Sequence, residues 1–381
     1  MKKIVHIDLN EFFVQAEELS DPSLVGKKVA VGYSGRRGVI STASYEARAC
    51  GVHSGQPVFQ AREKCPGLII VNGHFSLYQD LSRRFMSYLR ARFPRMEPAS
   101  IDECYLDLSD FLLDGKEEEQ LFDLQMDIYR NTGLKCSIGE GATLFLAKMG
   151  SDMKKPLGLT LLPKEKIPTL LWPLPIDKMY GIGKKTAPGL VSLGIRTIGD
   201  LALTQNPDVK KYLGGGFEEF QGEANGLGND FVDTSDWDPK SISSERTFAD
   251  DVEGYEELGA MVTSCVKEDV KELDQYHKSA MTLEIKLRTP DFKTKSRRCS
   301  FPRPLYRTED LLRYALDLFD QFYKGQKIRL LGVGLEKLQE RKEDTGTKKK
   351  EELNQINESL SFGGKVFFGS DLLKEKKDEG K

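Results

Sequence analysis

The run Ser100-Ile101-Asp102-Glu103-Cys104-Tyr105-Leu106-Asp107-Leu108-Ser109 constrains this chain more than any other stretch. Ile101, Tyr105, Leu106 and Leu108 favour a strand, yet two carboxylates stand side by side within it. Neighbouring side chains on a regular strand point to opposite faces. Asp102 and Glu103 therefore converge on one point only where the strand kinks or turns. Buried carboxylates are costly unless paired or metal-bound, whereas adjacent acids also suit an exposed hairpin turn. The N-terminal run Lys3-Ile4-Val5-His6-Ile7-Asp8-Leu9-Asn10 bears on that choice. It is a second short apolar run ending in a carboxylate, and Asp8 falls at the strand's C-terminal end, where ligands gather in open sheets. Two strands that deliver Asp8, Asp102 and Glu103 to one edge make an all-oxygen site suited to Mg²⁺. Paired Mg²⁺ ions roughly 3.5–4 Å apart serve in-line phosphoryl or nucleotidyl transfer.

Three blocks occur in order: Asp8-Leu9-Asn10-Glu11-Phe12-Phe13, Tyr45-Glu46-Ala47-Arg48 and Ser100-Ile101-Asp102-Glu103. Together they resemble the signature blocks of Y-family translesion DNA polymerases, the DNA polymerase IV branch above all. The likeness runs from residue 1 to about residue 340. It implies an α+β multidomain, right-hand fold. The palm takes residues 1–10 and 74–163, small fingers 11–73 and a helical thumb 164–229. A linker follows at 230–241, then a C-terminal little-finger α/β sandwich at 242–340 and a tail at 341–381. The implied activity is template-directed addition of deoxynucleotides to a primer 3′ end, opposite undamaged or damaged template and at low fidelity. By the same resemblance, Asp8 and Asp102 bridge two Mg²⁺ ions with help from the Leu9 carbonyl. Glu103 holds the ion that activates the primer hydroxyl. Tyr45, Arg48 and Lys155 grip the triphosphate, with Phe12 and Phe13 beside the nucleotide and Phe13 as the steric gate against ribose. Asn10 stands where many relatives carry an acid.

The residues support parts of this independently. Residues 11–19 read as a short helix that Asp21-Pro22 ends, and residues 28–31 and 38–42 as strands around a glycine- and arginine-rich turn. Gly38, Ser41, Thr42 and Ala43 would, by resemblance, form a shallow roof over the nascent base pair. Tyr45 opens a helix ending near Gly51, and Arg48 shares its face. A tyrosine hydroxyl beside a guanidinium holds a phosphate; the same pair also makes an ordinary surface stack. A rigid ring at Phe13 excludes a 2′-hydroxyl by clash, or Phe12 and Phe13 are both core. Residues 77–93, 120–131 and 144–153 have helical spacing and residues 136–139 read as a strand, which gives helices interleaved on one sheet. Lys154 and Lys155 precede Pro156, and either reaches a phosphate as a point charge.

Residues 179–187 resemble a helix-hairpin-helix turn. Gly181 and Gly183 let backbone N–H groups approach a phosphate at a helix N-terminus, with Lys184 adjacent. Such contacts hold DNA without reading sequence. Residues 230–240 are rich in Asp, Ser and Pro and read as a tether. Beyond them come a helix over 255–276, a half-buried strand through Met281, Leu283, Ile285 and Leu287, a strand over 297–301, a capped helix over 308–322 and a last strand over 328–338. Between Lys278 and Arg307 the basic residues are Lys278, Lys286, Arg288, Lys293, Lys295, Arg297, Arg298, Arg303 and Arg307, opposed only by Glu284 and Asp291. Basic strands backed by acidic helices make a DNA-backbone platform. The lysine-rich residues 341–381 are expected to be mostly disordered. Within them Glu358-Ser359-Leu360-Ser361-Phe362 resembles a clamp-docking peptide, with Leu360 and Phe362 as anchors and Glu358 departing from the usual glutamine. Val366-Phe367-Phe368 is a second such segment.

Net charge is −3, so any basic surface is local. Six cysteines lie scattered without a C-x-x-C pair. That argues against structural zinc and a disulfide framework, and for a reducing cytosol. No run is long enough to span a membrane, and no acidic constellation is left over for proofreading. The expectation is a cytoplasmic, nucleoid-associated monomer whose partners are primer–template DNA, an incoming dNTP and a sliding clamp. A nucleotidyl cyclase would explain the carboxylates but not the hairpin turn or the basic strands. A non-catalytic DNA- and clamp-binding factor would explain those and not the acids.

Overall fold

The computed structural model describes residues 2–341, which fall into two units parting between Asp236 and Trp237. Leu360, Phe362 and Val366-Phe367-Phe368 lie outside the described residues. In the first unit the order is β1 (Ile4–Leu9), α1 (Phe12–Ser20), β2 (Val29–Gly32), β3 (Ile40–Ala43), α2 (Tyr45–Ala49), α3 (Val58–Lys64), β4 (Ile69–Val71), α4 (Phe75–Arg90), β5 (Met96–Pro98), β6 (Glu103–Asp107), α5 (Glu117–Thr132), β7 (Cys136–Gly141), α6 (Leu144–Met153) and β8 (Leu159–Leu162). Five of these strands make one sheet, β5-β6-β1-β7-β8. In it β1 runs antiparallel to both neighbours and β7 parallel to β8. The small sheet β3-β2-β4 is separate and has its own core around Ala47, Val58 and Ala61.

Strand alternation explains why β1 is buried on both faces. Val5, Ile7 and Leu9 pack with Phe85 and Leu89 of α4 and Leu121 and Ile128 of α5. Each such fully buried side chain contributes about 1.5–3 kcal/mol. Ile4, His6 and Asp8 turn to the opposite face, beneath α6. The helix comes close because glycine meets glycine there. A Cβ on Gly139 would fall 2.1 Å from the Ala147 carbonyl oxygen, and one on Gly150 would fall 3.1 Å from Gly139 Cα.

Four short helices, α7 (Ala187–Ser192), α8 (Ile198–Leu203), α9 (Pro207–Leu213) and α10 (Phe217–Ala224), follow around a core that includes Ile176, Leu190, Leu201 and Phe217. The tether expected over 230–241 is shorter than its composition suggests. Val232, 6% exposed, docks on Ile4 and Ala147. The Leu144 N–H donates to the Asn229 carbonyl at 2.8 Å, and the Asp233 N–H to Glu97 at 2.8 Å. A single buried valine pins a segment otherwise polar enough to read as free chain.

The second unit contains β9 (Ser241–Val252), α11 (Tyr255–Gln275), β10 (Lys278–Arg288), β11 (Thr294–Leu305), α12 (Thr308–Phe322), β12 (Ile328–Glu336) and the short β13 (Gln339–Glu340). Its sheet runs β11-β10-β12-β9, all antiparallel, so β11 and β9 are edges. Both helices pack on the face that carries Leu283, Ile285, Leu287, Leu331 and Val333. β9 escapes the sequence pattern because it is a polar edge strand. No side chain caps α12: Arg307 is its N-cap and Thr308 already helical. Glu309 and Asp310 in the first turn favour the helix dipole instead. Among the described residues no helix is long and apolar enough to cross a membrane.

Candidate active site

β6 starts at Glu103, and Asp102 belongs to the turn that joins it to β5. The N–H groups of Ala99 and Ser100 both donate to the Glu103 carbonyl, at 2.9 and 3.2 Å. The chain therefore turns where the two acids meet. The Leu9 N–H donates to the Asp102 carbonyl at 3.0 Å, and register places Asp8 opposite Glu103. These residues line one side of a cavity of about 340 Å³. Phe12, Phe13, Tyr45, Arg48 and Lys155 also line it, together with Glu11, Ser41, Thr42 and Ser54, so every acid and nucleotide contact expected from the sequence reaches one space.

A residue that sequence reasoning missed sits beneath that space. Lys148 on α6 is 7% exposed. Its Nζ lies 3.0 Å from Asp8 Oδ2 and 2.8 Å from Glu103 Oε1. Lys155 Nζ lies 2.6 Å from the same Asp8 oxygen and 2.7 Å from Asp152 Oδ1. The available signal was a lone lysine inside the apolar run Leu144-Phe145-Leu146-Ala147-Lys148-Met149, because a buried charge demands a partner. Fully buried His6 meets Ser151 Oγ through Nδ1 at 2.8 Å, and its Nε2 is 3.6 Å from Glu103 Oε2. Burial lowers the imidazole's proton affinity.

The charges are strongly coupled. Burial and the bond with Glu103 push the Asp8 carboxyl up to about 7, while Lys155 and Lys148 pull it the other way. Burial works against ionised Glu103 too, yet bonds with His6, Asp8 and Lys148 hold it well below the usual carboxylate range. Burial also raises Asp102, although Ser100 Oγ donates to it at 2.6 Å. For Lys148, burial opposes the charge, and Asp8, Glu103 and Asp152 outweigh it.

Across the cavity, Ser44 caps α2 and Glu11 caps it from another element. Glu11 Oε2 accepts the Tyr45 N–H at 2.7 Å. Glu11 adopts the left-handed backbone region at φ 40°, and burial pushes its carboxyl up to about 7. The Arg48 guanidinium lies 4.9 Å from the Tyr45 ring centroid, and its Nε donates to the Ala43 carbonyl at 2.8 Å. Stacking and cavity lining thus describe the same pair. Phe12 is core, at 2% exposed, and Phe13 is half-buried. Asn10 points away from the acids: its Nδ2 donates to Ser137 Oγ at 2.8 Å and its Oδ1 accepts the Leu157 N–H at 2.8 Å. It thereby fixes the segment that carries Lys155. Asp107 is occupied by Lys2, at 2.8 Å, and by Ser109. Lys154 is exposed.

Among the described residues no three of His, Cys, Asp or Glu are drawn into a ready ligand set; Asp102 faces Ser100. The donors are nonetheless all oxygen, which suits a hard cation. Two ammonium groups already answer the demand for positive charge at Asp8 and Glu103. The residues fit a divalent metal.

Three family models match the chain: the impB/mucB/samB family over residues 7–152, the IMS family HHH motif over 164–195 and the impB/mucB/samB C-terminal domain over 239–349. The chain is 38% identical over 333 residues to DNA polymerase IV of Bacillus velezensis and to DNA polymerase IV 1 of Bacillus subtilis, covering 87% of this chain and 80% of each relative. It is 36% identical over 350 residues to DNA polymerase IV of Streptococcus pyogenes, covering 90% and 96%. It belongs to the Y family of DNA polymerases. Among solved structures, a Y-family DNA polymerase chimera of Dbh and Dpo4 matches with a TM-score of 0.78 at 25% identity, over 89% of this chain and 99% of that one. DinB from Sulfolobus solfataricus matches with a TM-score of 0.61 at 25% identity, over 88% and 98%. This Y-family chain is a DNA-directed DNA polymerase of the translesion type, and such polymerases are metal-dependent.

In this polymerase the expected DNA contacts are placed unevenly. Gly181, Gly183 and Lys184 are exposed on one turn, Gly181 at φ +87°. The helix before that turn is only the 3₁₀ turn Ile176–Lys178. The basic strands do not form one platform. Register places Lys286, Arg288 and Arg298 on the open face of the sheet. Lys295 and Arg297 turn to the helix side, where with Lys293 they line a 590 Å³ groove beside Phe322. Lys286 pairs with Glu245 at 3.0 Å, Lys293 with Asp291 at 2.8 Å, and Arg298 with both Glu284 and Glu336 at 3.1 Å. Lys278 is buried and paired to Asp238 and Glu340. Of the acids that neutralise the open face, Glu284 lies on β10 among these basic residues, while Glu245 comes from β9 and Glu336 from β12.

Proposed function

We propose that the cavity between β1, the β5–β6 turn and α2 is the nucleotidyl-transfer centre. The observation that carries this is the meeting of three carboxylates with Tyr45, Arg48 and Lys155 around one 340 Å³ space. Asp8, Asp102, Glu103 and the Leu9 carbonyl would hold two Mg²⁺ ions. Bound Mg²⁺ supplies Lewis-acid activation of the primer hydroxyl and neutralises charge on the transferring phosphate. The chain's own residues position and neutralise. Tyr45, Arg48 and Lys155 take the β- and γ-phosphates and balance charge as pyrophosphate leaves. Glu11 keeps the first turn of α2 aimed at the cavity. Phe13 stands where the sugar of the incoming dNTP would lie and rejects a 2′-hydroxyl by contact.

Primer–template DNA would be held by the turn Gly181–Gly183 with Lys184, and by Lys286, Arg288, Lys293, Lys295, Arg297 and Arg298. The palm is taken as residues 1–10 and 74–163, the fingers as 11–73, the thumb as 164–229 and the little finger as 242–340. The protein is read as a cytoplasmic, nucleoid-associated monomer that docks on a sliding clamp through Leu360 and Phe362.

Primer extension with Mg²⁺, comparing the intact protein with Asp102→Ala, tests the centre. Extension by the first and none by the second is expected. If neither extends while both bind primer–template DNA, the catalytic assignment is wrong.

A further inference from the structure

A steric gate discriminates only as strongly as its ring is prevented from moving aside. The energy available to reject a 2′-hydroxyl cannot exceed the cost of the ring's easiest escape. What backs Phe13 therefore sets the selectivity. The Phe13 ring lies flat on Tyr78, with centroids 4.3 Å apart and an interplanar angle of 15°. Tyr78 is 2% exposed and is enclosed edge-on by Phe12 at 6.3 Å and Phe75 at 6.4 Å. Its hydroxyl donates to Glu17, a carboxylate on α1 that is itself 3% exposed. Glu17 also accepts from His74 Nδ1 at 2.9 Å and from the His74 N–H at 3.3 Å. The residue before His74 is Gly73, where a Cβ would fall 3.2 Å from the Tyr78 hydroxyl. The tyrosine is held at its face, its edges and its tip.

We propose that the buried Glu17–Tyr78 hydrogen bond, secured by His74, is the positioning element that gives the Phe13 gate its stiffness, so that deoxyribose selectivity depends on residues that never touch the nucleotide. This rests on the assignment of Phe13 as the gate. For Phe13 to yield to a ribose, its ring must push Tyr78 back. Tyr78 cannot retreat without breaking a buried bond to a charged acceptor, a loss of the most costly kind among hydrogen bonds.

The test is the ratio of kcat/KM for dNTP over rNTP, measured with the full-length protein on one primer–template. Tyr78→Phe removes only the hydroxyl and keeps the stacked ring. Glu17→Leu removes the acceptor, and Glu17→Gln keeps an acceptor oxygen without the charge. Tyr78→Phe and Glu17→Leu are expected to lower the ratio roughly tenfold, the scale of a buried bond to a charged group, chiefly through a lower KM for rNTP. Glu17→Gln should give a ratio between those of wild type and Glu17→Leu. General destabilisation would depress both nucleotides alike and leave the ratio where it was; melting temperatures identify any variant that has failed to fold. Phe13→Ala separates the two claims. If it does not relax selectivity, the gate assignment fails. If it does, and the ratio in folded Tyr78→Phe and Glu17→Leu equals the wild-type value, the backing role is overturned.

Discussion

Replacing Lys148 by Met tests whether the acid pair depends on a built-in counter-charge. The side chain is 8% exposed and bridges Asp8 and Glu103 at 3.0 and 2.8 Å. Met fills similar volume, so packing is nearly conserved and the charge alone is lost. Two carboxylates then face each other with only Lys155 on Asp8. Breaking a buried ion pair by removing one partner costs about 3–5 kcal/mol. Partial exposure of Glu103, 26% at the side chain, and the surviving Lys155 bring this to about 3 kcal/mol. For a unit of this size each kcal/mol shifts Tm by about 2–4 °C, so a fall of roughly 6–12 °C is expected at pH 8. The sign with pH follows from Asp8. Its folded pKa of about 7 lies above the unfolded value, so the burden of its ionised form is full above 7 and is relieved as pH falls through 7. The Tm gap between variant and wild type narrows accordingly towards pH 5. Mg²⁺ binding the folded state stabilises by mass action. Because one ammonium rather than two competes for the carboxylates in the variant, Mg²⁺ raises its Tm more than that of wild type. Thermal melts at pH 8 and pH 5, with and without Mg²⁺, read all three effects. A Tm within 1 °C of wild type at pH 8 would refute the reasoning, as would a gap indifferent to both pH and Mg²⁺.

Four further substitutions are informative. Asp269 on α11 is fully buried, neither of its oxygens has a hydrogen-bond partner within normal geometry although Ser244 is near enough to favour its charge, and burial pushes it up to about 7. Asp269→Asn should stabilise the second unit by about 2 kcal/mol at pH 8, a gain that fades as pH falls from about 7 towards the unfolded value near 4 and is gone by about pH 2, where the acid is neutral in both folded and unfolded chains; denaturant melts check it, and a pH-independent gain would exclude this cause. Glu11→Gln keeps an acceptor for the Tyr45 N–H and removes a negative charge from the nucleotide cavity. KM for dNTP should fall about fivefold at pH 8 and less below pH 7, with kcat little altered; an unchanged KM counts against charge at this position. Arg288→Ala should lower the slope of log K against log salt for DNA binding by about 1. Lys278→Ala, whose ammonium serves Asp238 and Glu340, should leave that slope alone and lower Tm instead.

The central sheet was legible because β1 and β6 are short apolar, β-favouring runs that carry acids, and α6 because its helical spacing is unbroken. The need for a turn at Asp102 followed from strand geometry alone. Lys148 was hidden by that same spacing: an apolar helix face absorbs one lysine without altering its period, and only the fold brings Asp8 beneath it. β9 was hidden by polarity, since an edge strand with Ile242 and Phe248 as its main buried residues has little amphipathic signal. The division of the basic residues between two faces depends on parity and register. Glu284 opposite Arg298 fixes that even-numbered residues share the open face, and the turn that sets this register carries no such mark in the sequence. The Glu17–Tyr78 bond joins α1 to α4 across 61 residues, beyond any local pattern.

β11 is an edge strand of twelve residues, nearly all exposed. Such a strand offers unpaired backbone groups to any other extended chain, and proteins blunt the danger with cations and prolines. Here Lys295, Arg297 and Arg298 stand along the first half of the rim, and Arg303 between Pro302 and Pro304 along the second. The charges assigned to the DNA phosphates therefore also keep two copies of the polymerase from zipping together sheet to sheet. Loosening the grip on DNA by neutralising this strand would trade one failure for another, because the same substitutions open a seam for aggregation. Selection on this hairpin is then bounded on both sides, by how tightly the enzyme holds its template and by how safely it coexists with itself.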